Sequence, residues 1–129
     1  MLGDKRVATT IPVRDPAESR SFYEGKLGLK VMRQLDDGGI AYECGGGTAL
    51  FTYPTEENAG KSPATVASFE VEDAEATIRA MQESGISFEE YDMPGLKTVD
   101  GVADLAGSKG GWFKDPDGNI LAVFEMPPG

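Results

Sequence analysis

Histidine is absent from this chain, and cysteine occurs once, as Cys44. One cysteine excludes an internal disulfide, which suits a reducing compartment. With no imidazole and one thiol, a histidine- or cysteine-rich metal centre cannot be assembled within one chain. Basic residues are also scarce, 12 against 22 acidic ones, for a formal net charge of −10. Nucleic acid is therefore an unsuitable partner, since phosphate contacts need clustered Lys and Arg. No apolar run approaches the ~20 residues of a membrane span. The N-terminus carries a Lys5-Arg6 pair with no long apolar stretch behind it, so no signal peptide is read there. These absences place the protein in the cytoplasm, free of membrane and nucleic acid. The acidic surface gives solubility and, if it guides recognition at all, favours a cationic ligand.

What is present is a pattern written twice. Thr10-Ile11-Pro12-Val13-Arg14-Asp15-Pro16-Ala17-Glu18 reads as a strand end, a capping aspartate and a first helical turn. Ser68-Phe69-Glu70-Val71-Glu72-Asp73-Ala74-Glu75 repeats it. In the first copy a strand over 6–13 precedes a helix to about Leu27, stopped by Gly28. Strands over 29–35, 40–44 and 48–53 follow, the first two joined by Asp36-Asp37-Gly38-Gly39, a hairpin signal. The second copy predicts a strand over 65–71 and a helix with Ala74, Ile78 and Met81 on one face. Further strands are predicted over 86–91, 111–114 and 119–125, with Asp115-Pro116-Asp117-Gly118 as a tight turn and Met126 to Gly129 as a tail. Residues 93–110 are glycine-rich and weakly patterned; a lid and plain disorder remain the alternatives, with residues 101–111 as the lid itself.

Ile11-Pro12-Val13-Arg14-Asp15, Phe22-Tyr23 and Leu27-Gly28-Leu29 resemble the opening of the vicinal oxygen chelate superfamily, which holds glyoxalase I, bleomycin-resistance proteins and extradiol dioxygenases. Phe69-Glu70-Val71-Glu72-Asp73 resembles the start of its second module, and Asp115-Pro116-Asp117-Gly118-Asn119 the turn before its last strand. The resemblance implies an α+β fold: two βαβββ modules forming a curved, mixed eight-stranded sheet around a cup-like cavity, commonly as a homodimer. The single domain would comprise module 1–54 and module 64–129, joined by linker 55–63.

Metal-using members of that family place ligands at four strand positions in the cup. Carried onto this chain, those positions are Ala8, Leu50 (within a residue or two), Val66 and Ala122. None has a donor atom, so no metal and no cofactor is expected. An all-oxygen Mg²⁺ or Ca²⁺ site stays formally open, but Asp115-Pro116-Asp117-Gly118 lacks the EF-hand pattern and reads as a turn.

If those four positions face the cup, strand alternation brings Thr10, Thr48, Thr52, Ser68, Ile120 and Phe124 with them. Ile11, Val13, Ala67, Phe69, Val71, Leu121 and Val123 would then face the helices. Apolar walls with a few hydroxyls suit a small-molecule pocket; each residue singly reads better as interface packing, and the set together as a pocket. Trp112 would stack on a ligand or anchor the core. Glu70, Tyr42 and Glu43 are the only candidates for a catalytic acid or base, and Tyr42 and Glu43 must point to opposite faces. Cys44, lacking an activating histidine, reads as a spectator. The favoured reading is a metal-independent binding protein of the bleomycin-resistance type that sequesters a small organic molecule. An isomerase, lyase or dioxygenase-like enzyme, and a protein-interaction module, are the alternatives.

Overall fold

A computed structural model of the chain describes residues 1–125. The predicted tail, Met126 to Gly129, lies outside them. Two units are distinguished: Met1–Val66 with Pro116–Asn119, and Ala67–Asp115 with the chain from Ile120.

The first unit holds β1 (Ala8–Val13), α1 (Pro16–Arg20), β2 (Lys30–Gln34), β3 (Ile40–Glu43) and β4 (Ala49–Pro54). Its sheet order is β1-β4-β3-β2, with β1 parallel to β4 and the other pairs antiparallel. This is the predicted βαβββ order. Asp15 caps α1, its Oδ1 accepting from the Ala17 amide at 2.9 Å, with Pro16 at the first turn. Beyond Arg20 the helix widens into a π-helical stretch, Ser21–Lys26, where the Leu27 amide reaches back to the Phe22 carbonyl at 2.9 Å. Phe22 and Tyr23, adjacent in sequence, are both buried there. Tyr23 meets Tyr42 with ring centres 5.8 Å apart, over a core of Ile11, Val13 and Leu50.

The second unit holds β5 (Thr65–Val71, entering from Ala67 onward), α2 (Ala74–Glu83), β6 (Asp92–Met93), β7 (Leu96–Val99), β8 (Val102–Leu105), β9 (Ser108–Lys114) and β10 (Ile120–Glu125). Its sheet order is β5-β10-β9-β8-β7-β6. α2 lies on the face carrying Gly111, Phe113, Leu121 and Val123; a methyl group at Gly111 would stand 2.9 Å from the Ile78 Cδ1. Asp73 caps α2 through the Ala76 amide (3.0 Å), and the Glu125 carboxylate accepts from the Ala74 amide (2.8 Å).

Two expectations change. The described residues form ten strands in a four-stranded and a six-stranded sheet, rather than eight strands in one. Residues 86–91 form no ladder; Phe88 makes a single bridge to Phe113. The extra strands come from residues 93–110, which are neither an irregular lid nor disordered. They form tight hairpins whose turns, Pro94-Gly95, Asp100-Gly101 and Ala106-Gly107, recur every six residues. Asp100 and Ala106 hold φ of 52° and 57°, the left-handed geometry that two-residue hairpin turns require.

Candidate functional site

Each sheet has one face covered by its helix and one face turned away from it. In the first unit, strand pairing settles which side chains share a face. Ile11 pairs with Thr52 and Thr9 with Leu50 on β1–β4, while Tyr42 pairs with Leu50 and Ile40 with Thr52 on β3–β4. Paired residues on neighbouring strands project to the same side. Leu50 and Thr52, each 1% exposed, therefore belong with Ile11, Val13 and Tyr42 on the α1 side. The open face instead carries Ala8, Thr10, Ala41, Glu43, Ala49, Phe51 and Tyr53.

This corrects the assignment of Leu50, Thr52 and Thr48. The first two are core residues. Thr48 lies outside the strand and closes the Gly45–Gly47 turn, its Oγ1 donating to the Gly45 carbonyl at 2.6 Å. Ala8 and Thr10 are exposed on the open face. Phe51 and Tyr53, half-buried, are the residues that sequence reasoning missed. Phe51 is seated against Gly39, where a methyl group would stand 3.1 Å from the Phe51 Cζ. Gly39 is itself held by the Asp37 carboxylate, which accepts its amide at 2.9 Å.

The three candidate acid–base residues separate. Tyr42 is fully buried on the α1 side. Its hydroxyl lies near Thr52 without forming a hydrogen bond of ordinary geometry, and burial pushes the phenol up. It is removed from any open-face chemistry. Glu43 is exposed on the open face, 3.8 Å from the Lys30 ammonium. Glu70 is exposed on β5. Cys44 is half-buried, and burial pushes its thiol up, so a thiolate is disfavoured there.

In the second unit Trp112 pairs with Ala122 on the face away from α2, and Trp112 meets Tyr91 edge-to-face with ring centres 5.5 Å apart. Phe124 and Ile120 share that face and are half-buried, whereas Ala122 is 7% exposed. Ser68 is exposed on β5; Val66 belongs to the first unit, where its carbonyl accepts from the Thr9 hydroxyl at 2.8 Å. A separate open groove of about 750 Å³ lies along α2 and the β6–β8 hairpins. Along it Lys109 pairs with Glu75 at 2.9 Å, and Arg79 donates to the Asp100 carbonyl at 2.7 Å.

The side chains present do not fit a metal. Ala8, Val66 and Ala122 offer no donor, nor do Leu50 and its open-face neighbours Ala49 and Phe51. Among the described residues, no group of three or more His, Cys, Asp or Glu side chains is placed to hold an ion. The Asp115–Asn119 turn has another use. The Asp117 Oδ1 accepts from the Arg14 guanidinium at 3.1 Å and from its amide at 3.2 Å. Asn119, 1% exposed, donates to the Pro12 carbonyl at 2.7 Å and accepts from the Gly60 amide at 3.1 Å. A carboxylate already facing a guanidinium is a poor cation ligand.

Two units, each opening strand–helix and continuing in antiparallel strands, with one face of each sheet turned away from its helix, define the class. The profile of the Glyoxalase/Bleomycin resistance protein/Dioxygenase superfamily matches residues 5–123, and the chain belongs to that superfamily. No curated protein matches the chain. Among solved structures, the chain is similar to a glyoxalase/bleomycin resistance protein from Catenulispora acidiphila DSM 44928, with 21% identity, TM-score 0.66 and coverage of 95% of this chain and 98% of that one. It is similar to a lactoylglutathione lyase from Agrobacterium tumefaciens, with 18% identity, TM-score 0.67 and coverage of 95% and 93%. It is also similar to TnmS3, an antibiotic binding protein from Streptomyces sp. CB03234, with 17% identity, TM-score 0.69 and coverage of 98% and 99%. At these identities the likeness speaks for the fold, which an enzyme and a binding protein share. No helix among the described residues is long and apolar enough to cross a membrane.

Proposed function

We propose that this protein binds a small organic molecule without a metal, holding it on an open sheet face and sequestering it rather than transforming it. The observation that carries this reading is a pair of coincident features. Ala8 and Ala122, two of the positions where a family metal site would stand, carry only methyl groups, and half-buried aromatic rings lie on the same faces, Phe51 in the first unit and Trp112 in the second. Rings such as Phe51 and Trp112 supply a large apolar contact, and neighbouring hydroxyls such as Thr10 supply orientation. The structurally similar antibiotic binding protein supports a binding role on this scaffold. The reading includes a homodimer in a reducing compartment, with light scattering as the check on its mass.

The test is ligand-induced thermal stabilisation of the full chain against a panel of aromatic small molecules, with and without EDTA. A binder present at a hundred times its Kd stabilises by about 2.7 kcal/mol. The expected result is a shift that EDTA leaves intact and that Phe51→Ala or Trp112→Ala diminishes. Turnover dependent on a stoichiometric transition metal would overturn the reading.

A further inference from the structure

We propose that the open face of the first sheet selects a planar aromatic ligand bearing an anionic group, with Arg33 as the counter-charge beside Phe51. This rests on the small-molecule reading above and names its ligand class.

The first support is a β-bulge. On β2, Val31 pairs with Tyr42, but the next pairing is Arg33 with Ala41. Met32 and Arg33 thus stand together opposite one residue. In an unbroken ladder Met32 alone would face Ala41, and Arg33 would fall opposite Ile40, on the α1 side. The extra residue brings the guanidinium into the cross-strand row Arg33, Ala41, Phe51, Thr10. Re-aiming a side chain is what bulges beside binding sites do.

The second support is the surface beside it. Ala8, Ala41 and Ala49 leave the sheet low around Phe51, and the ring is seated against Gly39 at its far edge. A flat ring system can lie on such a floor, and Met32, 51% exposed, adds a polarisable edge.

The third support is charge. The other two charged residues in the paired strand rows of this face, Lys30 and Glu43, face each other at 3.8 Å, and Arg6, just ahead of β1, donates to the Gly47 carbonyl. Arg33 has no ion pair or hydrogen bond to another described side chain. Among its paired strand rows the face therefore presents one cation, Arg33, without a carboxylate partner, in a chain of net charge −10. Charges more than about 8–10 Å away are largely screened at physiological salt, so the nearby guanidinium decides the sign of the ligand. A guanidinium takes a carboxylate with two parallel hydrogen bonds and stacks on aromatic rings, and both actions are available here. The cationic preference read from overall composition is thereby reversed for this face.

The test uses three anthracenes of one shape: 9-anthracenecarboxylate, 9-anthracenemethanol and 9-(aminomethyl)anthracene. Each is titrated by fluorescence into the full chain, Arg33→Gln and Phe51→Ala, with melting temperatures confirming that the variants fold. We expect the carboxylate to bind at least tenfold tighter than the alcohol, and the ammonium weakest. Arg33→Gln should bring the carboxylate down to the alcohol while leaving the alcohol unchanged. Phe51→Ala should weaken all three. Equal binding of the three probes, or an ammonium preference, with all still weakened by Phe51→Ala, overturns the anionic assignment and leaves the small-molecule reading standing. Binding insensitive to both substitutions places the probes elsewhere and overturns the proposal. If no anthracene binds, the ligand class is wrong; if the wider thermal panel is also silent, the reading beneath it falls too.

Discussion

Tyr42 looks from sequence like a strand tyrosine available for chemistry, and in the fold it is a core ring. Its hydroxyl is buried without a well-formed hydrogen bond, a situation that costs about 1–3 kcal/mol. Tyr42→Phe should therefore be neutral or stabilising by about 1 kcal/mol at pH 7, read as a higher midpoint in urea. Burial, opposed in part by Arg20, raises its folded-state pKa above the ordinary value of 10.0. Below that value both folded and unfolded chains hold the proton, and nothing is lost. As pH rises past it, the unfolded chain ionises while the folded one resists, so stability falls. The drop in melting temperature between pH 9 and pH 11 should be smaller in Tyr42→Phe than in the parent chain.

Asn119 and Gly60 are the second instance at this scale. Asn119→Ala removes a donor from the Pro12 carbonyl and an acceptor from the Gly60 amide in a buried setting, and should cost about 2–3 kcal/mol in urea unfolding. At Gly60, with φ of 68°, a methyl group would stand 1.9 Å from the Asp117 carbonyl oxygen. Gly60→Ala should cost at least as much, because backbone rather than a flexible side chain must yield. A wild-type urea midpoint for either variant would mean the turn is not clasped as described.

At the scale of elements, the hairpins over 92–114 show how local signals compete. Asp100-Gly101 is the same signal that marks the Asp36–Gly39 turn, yet it sits between strands only four residues long. Short strands give little alternation to detect, whereas the six-residue recurrence of the turns is a signal in its own right. One carboxylate braces the β7–β8 hairpin: Glu90 accepts from the Thr98 hydroxyl at 2.8 Å and from the Gly101 amide at 2.6 Å. Ala106 holds a left-handed backbone without glycine's freedom. Ala106→Gly should relieve about 1 kcal/mol and raise the melting temperature by a few degrees. An unchanged or lower melting temperature would show that this turn is not under strain. The π-helical widening after Arg20 is also set at this level, since it is what turns both Phe22 and Tyr23 inward.

For the whole molecule, the prediction concerns metal. Chelation should leave the melting temperature within about 1 °C, because a site worth keeping would contribute several kcal/mol through mass action. Metal analysis of protein purified without chelator should find no stoichiometric transition ion. A tightly held ion would require donors from outside the four positions considered, and would redirect attention to Glu43 and Glu70.

The sequence by itself determined the strand–helix opening of both copies, the three strands that complete the first, the capping aspartates, the hairpin turns at residues 36–39 and 115–118, and the superfamily. Those follow from local chemistry: β-branched runs, caps and turn residues act within a few positions of one another. It also excluded histidine-based metal chemistry, since composition alone does so. Only the tertiary structure decided which face Leu50, Thr52 and Phe51 occupy. Residues 49–53 are apolar or weakly polar on both sides of the strand, so alternation divides them into two sets without saying which set meets the helix. That choice depends on register with β1 and β3, and register is a relation between distant segments. The same holds for Arg33. Its side chain reaches the open face through one inserted residue, and a bulge is visible only once both strands are paired.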